Sequence, residues 1–165
     1  MAGVVHEGAD PLESQAPLRT SAEARWVLRC VVVTPDRALL DQTADFVALP
    51  MYDGELGVLR GRSPLIGRLG CGELRIRKGK EVQRFFVDGG FAQIKDNVVT
   101  VLTPRALKPK EINADEARRA LAATGEGALT PQAQEARLKA QVRARAQLRV
   151  LKHASEQQAQ TEHHA

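Results

Sequence analysis

The distribution of glycine and aromatic residues divides the chain into two parts that require different secondary structure. Nine of the 13 glycines lie between Gly54 and Gly90, and no aromatic residue follows Phe91. Beyond residue 108 alanine dominates, and the remaining glycines are Gly125 and Gly127. Glycine weakens helices and marks turns between strands, whereas alanine is the strongest helix former. The chain therefore predicts a β-rich part followed by an α-helical part.

Residues 26–108 predict several short strands separated by turns. Residues 44–50 and 73–77 alternate between apolar and polar side chains with a period of two, as half-buried strands do. Three turn signals follow, namely Lys78-Gly79-Lys80, Asp88-Gly89-Gly90 and Lys95-Asp96-Asn97. We expect the second of them to end one strand and begin another. Short strands at this spacing are typical of an antiparallel β-sandwich, here as a flattened barrel.

Residues 109–153 predict a helical hairpin, which makes the fold class α+β. Asn113 with Glu116 has the spacing of a capping box, and the first helix should end at Gly125-Glu126-Gly127. Thr130 with Pro131 then opens a second helix. We expect this helix to end near His153, which leaves residues 154–165 as a flexible C-terminal tail.

Alanine spacing predicts how the hairpin packs. The expected contact stripes are Ala117, Ala120, Leu121 and Thr124 on the first helix, and Ala133, Ala136, Ala140, Ala144, Leu148 and Leu151 on the second. Small side chains bury little area, and burial stabilises by only about 25 cal/mol per Å². We therefore expect a weakly held hairpin that can open.

The bulk composition limits the remaining possibilities. A chain of 165 residues has room for one domain and an appendage. No apolar run approaches the roughly 20 residues that span a bilayer, and no secretory signal is present at the N-terminus. Residues 1–25 contain too few apolar side chains to offset the entropy of ordering, so we expect a disordered tail.

The residues that usually perform catalysis are missing from the β-rich part. All four histidines lie outside residues 26–108, and the serine within that part, Ser63, has no nucleophile elbow around it. Cys30 and Cys71 have no metal-binding spacing and are interpreted as reduced thiols. No phosphate-binding loop and no metal-ligand cluster occur. We predict a non-catalytic protein without cofactor or metal.

The segment from Asp53 to Leu65 combines three glycines, two acids, two arginines and a proline. Such a composition predicts a shaped loop at a sheet edge, in place of a strand interior or a helix. Taken alone, it is compatible with a plain connection between strands. Asp53 and Glu55 are then solvated turn residues and not a pair of catalytic carboxylates.

The second helix is strongly basic. Between Pro131 and His153 the sequence has six lysines and arginines but a single acidic residue, Glu135. Arg145, Arg149 and Lys152 share one face. This face could be merely solvated, or it could bind nucleic acid or an acidic protein. No aromatic platform for bases accompanies it, so an acidic protein surface is favoured.

Several of these motifs together resemble the epsilon subunit of F-type ATP synthases, over residues 26–153. The run Glu55-Leu56-Gly57-Val58 followed by Ser63-Pro64-Leu65 is similar to the family's Gly-rich signature. Val87-Asp88-Gly89-Gly90-Phe91 is similar to its Gly-Gly element, and Ala146–Val150 to part of the last helix in bacterial members. Two residues depart from the signature, because Arg60 stands where the family usually has proline and Arg62 where it has histidine.

The resemblance implies a rotor subunit. The sandwich would bind beside the gamma subunit at the foot of the central stalk and touch the membrane c-ring, coupling proton-driven rotation to ATP synthesis. It would lie peripherally at the cytoplasmic face of the bacterial inner membrane, with no nucleic acid expected. The implied contact residues are Asp53, Glu55, Leu56, Gly57, Arg60, Gly61, Arg62, Pro64, Gly89 and Gly90. The alternative is a free β-sandwich adaptor whose basic hairpin binds nucleic acid or an acidic protein.

The resemblance also implies a regulatory hairpin. In bacterial members it can lie on the sandwich or extend into the alpha and beta subunits of the catalytic head and block ATP hydrolysis. Arg143, Arg145 and Arg149 would then face the head. Some members bind ATP through an Ile/Leu-Asp-x-x-Arg-Ala motif and arginines on the second helix. Asp115 and Arg118 match the motif, and Arg143 matches one of the arginine positions. Ala114, Arg119 and Gln147 do not, which argues against regulatory ATP binding here.

Overall fold

A computed structural model describes residues 26–123 and 130–164 of the chain. The predicted N-terminal tail and the predicted helix end at Gly125-Glu126-Gly127 lie outside the described residues. The strands are β1 (Leu28–Val33), β2 (Ala38–Ala44), β3 (Phe46–Met51), β4 (Gly54–Val58), β5 (Leu65–Lys78), β6 (Glu81–Lys95), β7 (Val98–Leu102) and β8 (Ala106–Leu107). A short 3-10 turn (Pro109–Glu111) leads to helices α1 (Ala114–Ala122) and α2 (Pro131–Glu162).

The strands pair in the order β2-β1-β7-β6-β5-β3-β4, and β8 adds to β6. All pairs are antiparallel except β1 with β7, which run parallel. The predicted β-sandwich followed by a helical pair is confirmed. The parallel pair is a detail that the strand pattern did not predict, because β1 and β7 are distant in sequence.

The two long strands β5 and β6 hold the sandwich together, and each switches the side it turns to the core. In the first half of β5 an odd-numbered residue, Leu69, is buried, whereas in the second half the even-numbered Leu74 and Ile76 are buried. We call this exchange of the buried side the parity switch. In β6 the parity changes in the same way between Val87 and Ala92. The switch falls at Gly70 to Gly72 in β5 and at Gly89-Gly90 in β6, which face each other in the pairing. Thus one strand pair contributes to both layers.

The prediction that Asp88-Gly89-Gly90 separates two strands was therefore wrong. The backbone at Gly90 has φ +107°, and a Cβ added there would lie 1.9 Å from the carbonyl oxygen of Leu102. Glycine permits this close approach of β6 to β7 and lets the strand continue through the bend. The glycine pair marks the point within one strand at which the side that points into the core changes.

The two predicted hairpin turns are confirmed. Lys78 pairs with Glu81 across a two-residue turn, and Gly79 has φ +58°. Asp96 and Asn97 connect β6 to β7 with φ values of +50° and +61°. Both residues of this turn lie in the left-handed region, which Asn and Asp tolerate better than most residues.

Both predicted helix starts are confirmed by side-chain caps. Asn113 Oδ1 accepts hydrogen bonds from the backbone N–H groups of Asp115 and Glu116, each at 3.1 Å. Thr130 Oγ1 accepts one from Ala133 at 3.3 Å. The second helix, however, does not end near His153 but continues to Glu162. Residues 154–162 are rich in helix-forming Ala, Gln and Glu, so they belong to the helix and not to a tail.

The packing stripe predicted for α2 was partly wrong. Ala144 is buried as expected, whereas Ala136 is exposed. Ala146 and Val150, outside the predicted stripe, are buried against Phe86 and Ile112. The helix therefore has two contact faces, one toward α1 and one toward the sandwich. The prediction considered only packing between the helices. Thr124 of the predicted α1 stripe lies outside the described residues.

Candidate docking surfaces

The segment Asp53–Leu65 forms three distinct structures and not one loop. Asp53 belongs to the tight turn between β3 and β4, and Gly54–Val58 is strand β4 itself. Residues 59–64 then form a loop at the other end of that strand. The prediction of a loop was thus wrong for Gly54–Val58, including Glu55, Leu56 and Gly57, and for Leu65, which begins β5. The strand is short and lies at the sheet edge, where β3 is its pairing partner.

A glycine inside β4 leaves room for an aromatic ring that packs closely against it. A Cβ at Gly57 would lie 3.0 Å from Cε2 of Phe46. Leu56 is half-buried and Val58 fully buried, so the strand alternates as a surface strand should. Glu55 accepts a 3.3 Å hydrogen bond from Arg75 of β5. Of the three glycines that suggested a loop, Gly57 therefore serves close packing within the sheet, whereas Gly54 and Gly61 have open space around them and positive φ.

The loop at residues 59–64 carries the two arginines that depart from the family signature. It is anchored at two points, because Gly61 N–H donates to Asn97 Oδ1 at 2.7 Å and Arg60 Nη1 donates to the carbonyl of Trp26 at 3.3 Å. Arg62 and Pro64 are exposed. An extended strand of five residues, about 17 Å long, separates this loop from the turn at Asp53. The implied contact residues of this segment thus lie along one sheet edge, with Asp53 and the arginine loop at its two ends, whereas Gly89 and Gly90 lie within β6.

An apolar surface that the sequence did not indicate lies on the outward side of β5, β6 and β7. Ile66, Phe91 and Leu102 have exposed fractions of 73%, 57% and 50%. Phe91 pairs directly with Leu102 and with Arg68, so these side chains share one face of the sheet. We call Ile66, Arg68, Phe91 and Leu102 the open face. Neighbouring exposed apolar side chains of this kind mark interaction sites.

The other outward side of the same two strands is covered by α2. Phe86 of β6, Cys71 of β5 and Val150 of α2 belong to a small apolar cluster that we call the seam, together with Ile112, Ala146, Leu107 and Leu151. The parity switch at the glycines explains both surfaces, since it turns a different side of β5 and β6 outward in each half. Because the sequence analysis treated the two halves of β6 as separate strands, it could not predict which side chains lie in the open face and which lie in the seam.

An ion pair borders the seam at the Gly-Gly element. Arg143 Nε lies 2.8 Å from Asp88 Oδ2, and Asp88 directly precedes Gly89. The hydrogen bond from Arg143 to Asp88 raises the pKa of the guanidinium. Burial and the Asp88 charge raise the pKa of the neighbouring Cys71 thiol to about 12. Arg143 therefore holds α2 on the sandwich in this conformation.

A second polar contact fastens the C-terminal half of α2. Glu73 of β5, with a side chain only 8% exposed, lies 2.9 Å from His153 Nδ1 and accepts a 2.7 Å hydrogen bond from Arg84. Gln157 accepts from Arg84 Nε at 3.0 Å and donates to the carbonyl of Val82 at 3.1 Å. These bonds explain why the helix passes His153 without fraying.

The remaining predicted residues of the hairpin lie apart from one another. Arg145 and Arg149 are exposed, and neither forms an ion pair among the described residues. Asp115 and Arg118 bind each other at 3.0 Å on the exposed side of α1. A cleft of about 200 Å³ between α1 and α2 is lined by Arg143 and Gln147, but not by Asp115 or Arg118. The structure therefore does not bring the three predicted ATP contacts into one cleft.

The described residues offer two further negative observations. Within residues 26–123 and 130–164, no group of three or more His, Cys, Asp or Glu side chains is placed to hold a metal ion. In the same ranges no helix is both long and apolar enough to cross a membrane.

A β-sandwich with one face covered by its own helices and another left open has the features of a docking module of a larger assembly. Comparison with known proteins identifies the assembly. The family model for the ATP synthase delta/epsilon chain beta-sandwich domain matches residues 27–109. The ATP synthase epsilon chain of Rhodopirellula baltica is 55% identical over 123 residues, which cover 74% of this chain and 96% of that protein. The chain belongs to the family of ATP synthase epsilon chains.

Other relatives agree. The ATP synthase epsilon chain of Nitratidesulfovibrio vulgaris strain Miyazaki F is 40% identical over 93 residues, covering 56% of this chain and 69% of that protein. A chain of the Tetrahymena thermophila mitochondrial ATP synthase central stalk and c-ring structure aligns with a TM-score of 0.60 at 18% identity, over 75% of this chain and 96% of that one. At that identity the likeness concerns the fold alone. Epsilon chains are structural subunits of the synthase, and this chain is accordingly non-catalytic.

Proposed function

We propose that this chain is the central-stalk epsilon subunit of a bacterial F-type ATP synthase. In this role it couples proton-driven rotation of the membrane ring to ATP synthesis in the catalytic head, and it lies peripherally at the cytoplasmic face of the membrane. Family membership supports the assembly. The open face supports the coupling role, because a subunit that rotates with the gamma subunit needs a permanent apolar contact with it.

The open face is the surface we assign to the gamma subunit. It lies on strands whose opposite side forms the sandwich core, so a partner bound there is attached to the most rigid part of the molecule. Burial of Ile66, Phe91 and Leu102 would contribute about 1–2 kcal/mol for each side chain, because each is already partly buried in the free chain. The surface is independent of α2, so the hairpin can move while the attachment persists.

The loop at residues 59–64 is the surface we assign to the c-ring. Arg60 and Arg62 add positive charge where the family usually has proline and histidine. We propose that this loop meets the polar loops of the ring, or nearby anionic head groups, electrostatically. Anchoring by Asn97 and by the carbonyl of Trp26 holds the loop in place for that contact.

Coexpression with gamma tests the open face. The double variant Ile66→Ser, Phe91→Ser should fold normally but lose copurification with gamma, since both side chains are already solvated in the free chain. Leu138→Ser is the matched control, because Leu138 is 62% exposed on α2, away from the open face. Full copurification of the double variant would refute the assignment. The charge reversal Arg60→Glu, Arg62→Glu should preserve gamma binding and weaken only coupling to the ring.

We further propose that the hairpin restrains ATP hydrolysis by leaving the sandwich and contacting the alpha and beta subunits. The seam supports this movement, because it buries few apolar side chains and its bordering ion pairs can break and form again as the helix leaves and returns. Arg145 and Arg149 are exposed and available to acidic segments of the head. Truncation after Pro109 should leave assembly intact and raise hydrolysis by the complex, and an unchanged rate would mean that this hairpin is not inhibitory. The comparisons give no support to the alternative of a free nucleic-acid-binding adaptor.

A further inference from the structure

A second exposed surface lies at the end of the sandwich where β4 ends and β6 turns into β7. Asn97 of that turn joins two segments, because its carbonyl accepts a 2.8 Å hydrogen bond from the backbone N–H of Arg29 and its Oδ1 accepts one from Gly61 N–H at 2.7 Å. Arg60 Nη1, in the loop after β4, donates to the carbonyl of Trp26 at 3.3 Å. The start of β1, this loop and the β6–β7 turn therefore lie side by side.

Two apolar side chains at this end are left in water. Trp26 is 70% exposed and Leu59 is 58% exposed, on the two segments that the hydrogen bond from Arg60 joins. Trp26 is also the single tryptophan of the sequence. Tryptophan is enriched at membrane–water interfaces, because its ring is apolar while its indole N–H finds a polar partner. An exposed tryptophan near an exposed leucine thus indicates a contact at a boundary between water and an apolar phase.

Positive charge surrounds these two side chains. Arg60, Arg62 and Lys95 are exposed, and the acid of the neighbouring turn is Asp96. Within residues 26–123 and 130–164, neither Arg62 nor Lys95 forms an ion pair. Their charges are therefore available to an anionic partner. We call the five side chains that combine these properties the Trp26 surface, namely Trp26, Leu59, Arg60, Arg62 and Lys95.

We propose that the Trp26 surface binds the headgroup region of an anionic bilayer, with Trp26 and Leu59 at the level of the head groups and the arginines on the lipid phosphates. Charge alone would suit an acidic protein loop equally well, and the exposed tryptophan favours lipid. The inference deepens the proposed function, since it names the partner of the same loop. Vesicle binding is nevertheless a property of the isolated chain, so its failure would leave copurification with gamma untouched.

The emission of Trp26 tests the proposal directly, because no other tryptophan contributes to it. The purified full-length chain is titrated with vesicles of phosphatidylglycerol and, separately, of phosphatidylcholine. We expect a shift to shorter wavelength with the anionic vesicles alone, reversed by high salt, which screens the arginines. Absence of the shift would overturn the proposal. If Arg60→Glu, Arg62→Glu then still uncoupled the synthase, the loop would contact a protein segment of the ring.

Vesicle cosedimentation tests the contribution of charge. The double variant Arg60→Gln, Arg62→Gln should weaken binding to the anionic vesicles about tenfold or more, because each cation near such a surface contributes about fivefold in affinity. Lys78→Gln, Lys80→Gln is the matched control, since it removes the same charge from exposed positions at the far end of β5, and it should leave binding nearly unchanged. Equal weakening by both double variants would show attraction by net charge alone and overturn the assignment.

The same assay tests the apolar contribution. Trp26→Ser should weaken binding about tenfold, whereas Tyr52→Ser should not, because Tyr52 is 72% exposed but lies at the opposite end of β4. The variant Ile66→Ser, Phe91→Ser removes the competing open face and should bind vesicles as the unmodified chain does. Loss of binding in that variant, with binding retained in Trp26→Ser, would place the lipid on the open face and overturn the proposal.

Discussion

The sandwich core and the seam beneath α2 use the same two strands but have very different contents. The core cluster contains 16 buried side chains drawn from all of the strands β1 to β7. The seam has four buried members, Phe86, Ile112, Ala146 and Val150, and it depends on polar contacts at its borders. Apolar burial sets stability, and polar contacts at a surface contribute little. The difference indicates that the sandwich core stays folded while α2 can separate from it at the seam.

The two cysteines report on the two regions, because Cys30 lies in the core and Cys71 in the seam. Burial raises the pKa of each thiol to about 12, from an ordinary 9.0. Only the thiolate reacts with alkylating agents, so we expect the buried Cys30 to react after the sandwich has opened, and the half-buried Cys71 to react faster once α2 has left it. The raised pKa values also imply that stability is lost as the pH rises from about 9 toward 12, where unfolded thiols ionise first.

The first prediction is that Cys71 is alkylated at least about 1,000-fold faster than Cys30 at pH 8, a difference of about 4 kcal/mol in opening free energy. Peptide mapping by mass spectrometry on the unmodified chain measures both rates at once. In urea above the unfolding midpoint the two rates should converge, which serves as the control. Equal rates in native buffer would show that α2 does not open separately from the sandwich.

The second prediction compares one truncation in each region. Leu74→Ala should lower the global unfolding free energy by about 3 kcal/mol, because it leaves a cavity in a rigid core. Val150→Ala should cost about 1.5 kcal/mol, and only in the seam. Urea titration measures the first effect. The second should appear as an approximately tenfold faster alkylation of Cys71 with the rate at Cys30 unchanged. Acceleration of both cysteines by Val150→Ala would mean that the two regions unfold together.

Local chemistry explains which parts of the molecule could be predicted. The turns at Gly79 and Asn97 and the caps at Asn113 and Thr130 depend on neighbouring residues, so the sequence showed them directly. The paths of β5 and β6 depend on contacts distant in the chain. Gly90 suggests a break when read alone, and only the carbonyl of Leu102 beside it shows that the glycine keeps the strand continuous.

The candidate surfaces follow the same rule. The Gly-rich segment was recognisable, but not its division into turn, edge strand and loop. The open face could not be found, because the parity switch that turns Phe91 outward depends on contacts distant in the chain. Arg143 was recognisable as part of a basic stripe. Its ion pair with Asp88 joins residues 55 positions apart, and no spacing rule predicts such a contact.

The third prediction concerns that ion pair and has the smallest effect. Arg143→Gln should accelerate alkylation of Cys71 about twofold to fivefold, because a partly exposed ion pair contributes up to about 1 kcal/mol. Arg149→Gln is the control, since Arg149 lies on the same helix and forms no ion pair among the described residues. Combining Arg143→Gln with Asp88→Asn should add little to either change alone, and full additivity would mean that the pair does not hold the helix.

The same variant distinguishes the two roles that Arg143 can have in the assembled synthase. As the residue that retains α2, its loss frees the hairpin and should lower ATP hydrolysis. As a contact to the catalytic head, its loss weakens the extended state and should raise hydrolysis. Because the two effects have opposite signs, the direction of the change relative to the complex with the unmodified chain identifies the state in which Arg143 contributes more free energy. For an exposed arginine that makes no contact in the packed state, such as Arg149, substitution should raise hydrolysis or leave it unchanged, but not lower it.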